Sequence, residues 1–366
     1  MIYSPTRYLE VTQSWMRPEL VSPTALARLK TISGILPPIS NLLLECRLGT
    51  SDSVDLAPQF LAHDGSRAFF INKRPSHMLP KPEILDSHVW RRVQEFCVQW
   101  EQAELLNMEV ADIWLEFDVD GPPPHIPIPG LFVTYEKKSS ITDLQALRSK
   151  HHQATKLALE ILFAAPLPPL LAQNIDACFE LLPEQSYMFS VGAMLSRDSV
   201  PIKLCVADMT SEQLVPYLKN VGWPGCYDDV HNLLHEIDPL LDRIAFQLDI
   251  IDGVISPKIG FECYLTEHNP RKEARWRLLL DYLVKIGQCT PDKKEALLMW
   301  YGGQYNILPQ EQGVNFIDGP CSRNVFIRCV NHIKVVIHPD SSYEAKAYLC
   351  INKSWLPPAK STPQGI

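Results

Sequence analysis

In the run 112–120, Trp114, Glu116, Asp118 and Asp120 hold one alternating phase, and Ile113, Leu115, Phe117 and Val119 hold the other. Successive side chains of a strand point to opposite faces, so this spacing makes a strand with one apolar face and one carboxylate-bearing face. Lysines recur in the same manner on later runs: Lys203 with Cys205, Lys258 with Glu262 and Tyr264, Lys334 with His338, and Lys346 with Tyr348. Gln247 shares a phase with Asp249, and Glu45 with Arg47. Lysines and arginines in a confined site hold phosphate oxygens strongly. A carboxylate facing them can act as general base. Gathered into one interior, these residues suit a substrate with an anionic group and a proton to lose.

The elements that must position them recur. The run at 112–120 is followed by a turn-rich connection over 121–130 and a second apolar run at 131–135, which reads as strand, loop, strand. An echo lies at 244–265: Phe117-Asp118-Val119 corresponds to Leu248-Asp249-Ile250, and each copy reaches an Asp-Gly before its second strand. Further pairs are predicted at 187–206 and 332–350. The first pair starts at 42–48, with a companion between 54 and 70 whose register is open. Helical patterns fall between the pairs, among them one opened by Ser87 that places Trp90, Val93, Phe96, Cys97 and Trp100 on one face.

Helix, strand, strand, helix thus recurs about five times. Hairpins joined by helix pairs form an antiparallel sheet covered on one face, and the lack of an obvious edge strand points to closure. The expected fold is α+β: an antiparallel barrel of about ten strands surrounded by helices. Apolar faces must meet the helices, so the polar faces point into the lumen. An irregular segment 1–40, one repeat-built domain 41–357 and a disordered tail 358–366 are predicted.

The 366 residues carry a formal charge of −8, which argues against general nucleic-acid binding. Ten cysteines lack any CxxC pair, so neither a zinc ribbon nor a disulfide framework is expected. The first eight residues have no signal-peptide core, and Glu160, Pro166, Pro168 and Pro169 interrupt the most apolar run. A cytoplasmic protein without a membrane span is expected. His231 and His235 are four apart behind Asp228 and Asp229, but that pattern fits a wet helix face and no metal is assigned to it.

Taken together, the five helix–strand–strand–helix units, the Leu115-Glu116-Phe117-Asp118 strand in an early hairpin, and Lys-x-Tyr strands such as Lys346-Ala347-Tyr348 resemble the ABBA-type (PT-barrel) aromatic prenyltransferases. The resemblance spans roughly residues 40 to 350. It implies a catalytic base at Glu116 and isoprenyl-diphosphate contacts at Lys203, Lys258, Lys334 and Lys346. Tyr264 and Tyr348 would shield an allylic cation, a role aromatic faces perform by cation–π attraction. Trp114, Asp118, Asp249 and Glu262 would complete the acceptor pocket. The implied reaction needs no metal or other cofactor and moves an isoprenyl group to an aromatic small molecule or a peptide side chain. Three positions depart from the family pattern: no arginine stands in 131–135, Cys205 follows Lys203 where tyrosine is expected, and Gly260 follows Lys258. A tailoring enzyme of peptide natural products, or a non-catalytic ligand- or peptide-binding protein, could use the same barrel. Each residue also has a plainer reading: a strand carboxylate is ordinarily solvated, and a strand lysine ordinarily guards an edge.

Overall fold

A computed structural model of the chain describes residues 2–63, 65–71, 84, 86–136, 143–305 and 323–356. The strands are β1 (Asn41–Arg47), β2 (Val54–Leu61), β3 (Val110–Glu116), β4 (Gly130–Tyr135), β5 (Tyr187–Ala193), β6 (Ile202–Ala207), β7 (Arg243–Ile251), β8 (Val254–Tyr264), β9 (Gly302–Tyr305), β10 (Arg323–Ile337) and β11 (Tyr343–Leu356). Each neighbouring pair from β1 to β8 is antiparallel, β10 joins β8 to β11, and β11 returns to β1. Ten strands therefore close a ring. β9 lies outside it, paired with the first residues of β10. The ring is the expected antiparallel barrel, and closure removes the sheet edges that would otherwise invite pairing with other chains.

Helices clothe the outside. In order these are α1 (Pro5–Thr12), α2 (Pro23–Ser33), α3 (His88–Gln102), α4 (Glu104–Glu109), α5 (Leu144–Phe163), α6 (Pro169–Glu180), α7 (Ser211–Asn220), α8 (Tyr227–Ile237), α9 (Arg275–Lys285) and α10 (Pro291–Leu298). Two of them lie within the first forty residues. Ser4 and Ser22 accept hydrogen bonds from the amides of Arg7 and Ala25, and a proline follows each cap, a strong start signal. Ser87 precedes α3 without a capping bond from its side chain. The predicted tail 358–366 lies outside the described residues. No helix among the described residues is long and apolar enough to cross a membrane.

The alternation sorts side chains as the sequence requires. Ile113 and Leu115 of β3, Leu204 and Val206 of β6, Ile259 and Phe261 of β8, and Val335 of β10 are buried in one apolar cluster. Trp90, Trp100 and Trp276 of the helices belong to the same cluster. The opposite phase enters the barrel, so its chemistry is enclosed by ten strands and held at fixed registers. At the β7–β8 hairpin, Asp252 and Gly253 both take positive φ (51° and 80°), the geometry of a tight turn matched to strand twist.

Candidate active site

Two joined chambers occupy the lumen. The first is charged: Arg197, Lys203, Lys258, Lys334 and Lys346 converge on it, together with Glu45, Glu116 and Asp249. All four lysines picked from the sequence thus share one cavity. Burying so many charges is costly unless each finds a partner. Contacts between neighbouring strands supply partners for most of them. Lys346 lies 2.7 Å from Glu45, whose other oxygen accepts from the Tyr348 hydroxyl. Lys334 donates to Gln247 at 2.5 Å and lies 3.7 Å from Glu262, while Lys258 lies 3.9 Å from Asp249. Outside the lining, Arg47 pairs with Asp55 at 2.7 Å, and the second Asp55 oxygen accepts the Val119 amide.

Glu116 is the exception. Every other carboxylate in the lining has a cation or hydrogen-bond donor at contact distance, whereas Glu116 makes no hydrogen bond or ion pair among the described residues. Burial, reinforced by the nearby Glu45 charge, raises its pKa above the ordinary carboxylate value against the pull of Lys203. Burial also raises the pKa of Glu45, but Lys346 and the Tyr348 bond outweigh it and keep that carboxyl ionised. Lys258 is pulled down to about 8, first by burial and then by Lys203. The free volume among these side chains is about 30 Å³, room for one water, so an incoming anion must take the place now held by lysine stems and ammonium groups.

The second chamber is aromatic, with a volume of about 210 Å³. Trp114, Phe132, Phe189, Tyr264, His332 and Tyr348 form its walls. Glu116, Gln247, Lys334 and Tyr348 line both chambers and so mark the boundary between them. Gln247 stands in the echo unit where Glu116 stands in the first, and the two occupy equivalent places in the site.

Glycines create the space. Gly192 faces Phe132 across β4 and β5, and a Cβ there would come within 2.5 Å of the ring, so the absent side chain lets the ring turn inward. A Cβ on Gly260 would meet Lys334 Cε at 2.7 Å. The departure from Lys-x-Tyr at 258–260 therefore has a local cause: the space a tyrosine would fill holds the Lys334 stem.

Asp118 and Asp249 do not line the aromatic chamber. β3 ends at Glu116, and Asp118 turns to hold the Arg197 guanidinium at 3.0 and 3.2 Å, while Asp249 lies on the charged side. Glu262, Tyr264 and Trp114 line the aromatic chamber, and so does Cys205, whose thiol is pushed up by burial. His231 and His235 are exposed on α8, and His338, which lines neither chamber, is half-buried 3.7 Å from Glu344. Arg197 was missed because it sits on the β5–β6 turn, where alternation carries no information. His332 was legible: it shares the phase of Lys334.

No family model matches the sequence, and no curated protein matches it. Among solved structures, the chain is similar to AnaPT from Neosartorya fischeri, with 12% identity over 100% of this chain and 94% of that one at a TM-score of 0.46. It is also similar to NotF, solved in complex with brevianamide F and DMSPP, with 12% identity over 93% of this chain and 90% of that one at a TM-score of 0.49. The fold class of this chain, by its own strand pairing, is an antiparallel ten-stranded barrel with flanking helices.

Proposed function

We propose that the chain transfers an isoprenyl group from its diphosphate to an aromatic acceptor, either a small molecule or an aromatic side chain of a peptide. The observation that carries this reading is the unpartnered Glu116 carboxylate at the boundary between five converging cations and an aromatic chamber. The carbon–oxygen bond of the allylic diphosphate breaks with its electron pair leaving on the diphosphate. Arg197, Lys203, Lys258, Lys334 and Lys346 stabilise that developing charge in a site shielded from water. The allylic cation is then held against the faces of Tyr348, Tyr264 and Trp114. The acceptor ring supplies the electron pair of the new bond, and Glu116 takes the proton it loses.

The raised pKa of Glu116 suits it to this step, because a base is more effective when its pKa approaches the working pH. Lys258, with its lowered pKa, regains full charge when an anion settles beside it. The experiment is a transfer assay with dimethylallyl and geranyl diphosphate against a panel of indoles, phenols and tryptophan- or tyrosine-containing peptides, read by mass spectrometry. A prenylated product supports the reading. Diphosphate that binds but is never transferred leaves a binding protein.

A further inference from the structure

His332 stands on β10, 5% exposed, with its ring between two tyrosines: the Tyr348 ring is stacked at 4.1 Å and the Tyr264 ring tilted at 4.9 Å. Its Nδ1 lies 2.7 Å from the side-chain oxygen of Asn331, which can only accept. Nδ1 is therefore the protonated nitrogen, and Nε2 carries the lone pair. Nε2 is buried with no hydrogen-bond partner among the described residues, although the residue lines the aromatic chamber. An unsatisfied buried polar atom is costly unless something meets it. The charged groups around it are committed: Glu262 accepts from Tyr264 and faces Lys334, and Lys334 donates to Gln247. Burial holds the imidazole down to about 4, so it is neutral at pH 7.

We infer that His332 Nε2 is the hydrogen-bond acceptor that recognises a ring N–H or O–H of the aromatic acceptor and thereby selects and orients it. This rests on the prenyl-transfer reading for the occupant of the aromatic chamber. Asn331 is a positioning residue: it acts through His332 by fixing the tautomer. The acceptors favoured are those presenting a donor in the plane of the ring. An analogue whose donor is capped by a methyl group leaves Nε2 unpaired and adds bulk beside it. A site built to pair a substrate donor discriminates strongly against an analogue that lacks it.

The test measures binding of indole and 1-methylindole, and of phenol and anisole, to the full chain by ligand-observed NMR titration. Wild type should favour indole over 1-methylindole, and phenol over anisole, by roughly tenfold. His332→Phe keeps an aromatic ring between the two tyrosines and should abolish the preference. His332→Gln, which can present a carbonyl oxygen near the Nε2 position, should retain part of it, and Asn331→Ala should weaken it. Thermal denaturation checks that each variant is folded. Equal affinities in wild type, a preference that survives His332→Phe, or failure of all four probes to bind overturns the inference. Dimethylallyl diphosphate binding to wild type reports on the prenyl-transfer reading separately, so equal affinities in wild type with intact diphosphate binding overturn the His332 inference alone.

Discussion

Lys334 and Lys346 are direct register partners on β10 and β11, two lysines facing each other across the wall of one cavity. Like charges directly opposite in a sheet are destabilising, and two carboxylates on other strands, Glu262 and Glu45, offset the repulsion. A wall that existed only for stability would gain from an apolar pair at these positions. The arrangement is instead suited to a polyanion that spans both ammonium groups. Removing either charge with methionine leaves Glu262 or Glu45 buried without its cation, so the melting temperature should fall, and diphosphate affinity should fall roughly tenfold or more. Thermal denaturation and calorimetric titration would check the two effects.

Glu116→Gln preserves shape and removes the base. Turnover should fall by roughly a hundredfold or more with little change in diphosphate affinity. The pH profile adds a second readout. A raised pKa means that the carboxyl stays protonated to higher pH, so kcat/KM should be lost as pH falls through a value above the ordinary carboxylate range. That acidic limb should disappear in the glutamine variant.

Lys258 governs the alkaline side. Its pKa of about 8 means that the positive charge is present below that pH and lost as pH rises through it. Diphosphate affinity should therefore decline above about pH 8, with proton uptake on binding in that range. Lys258→Met should bind roughly tenfold more weakly at neutral pH and show no such decline. Calorimetry in buffers of different ionisation enthalpy would measure the proton uptake.

Asp118 and Arg197 should behave as one unit. Asp118 acts only through the guanidinium it holds, so Asp118→Asn and Arg197→Ala should each weaken diphosphate binding, and the double variant should be no worse than Arg197→Ala. A double-mutant cycle on the dissociation constant tests this, and additive effects would separate the two residues.

Gly260→Ala places a methyl group where Lys334 Cε lies, only 2.7 Å from the new Cβ. The stem must shift, so diphosphate affinity should fall while the lysine count stays the same, and overpacking should cost about 1–3 kcal/mol of stability. Denaturant titration and binding together distinguish this from a simple loss of fold.

Much of this site was legible in strand parity. Glu45, Trp114, Glu116, Lys203, Gln247, Glu262, Lys334 and Tyr348 enter the lumen because their neighbours in the other phase are apolar and must meet the helices. Parity was silent where both phases are apolar, as in β4, so Phe132 and Thr134 could not be assigned a face. It misleads at irregularities: the register shift at Met188/Ser190 of β5 brings both Phe189 and Ser190 to the aromatic chamber. It also fails beyond strand ends, which is why Asp118 left the predicted pocket and Arg197 was not foreseen. The two chambers, and the boundary where Glu116 meets Gln247, depend on pairing registers that no single segment encodes.

The most direct measurement is calorimetric titration of dimethylallyl diphosphate into the wild-type chain and into the Lys203→Met/Lys334→Met double variant. The account predicts saturable one-to-one binding by wild type, weakened roughly a hundredfold or more in the variant while its fold persists. No binding by wild type, or undiminished binding by the variant, would contradict it.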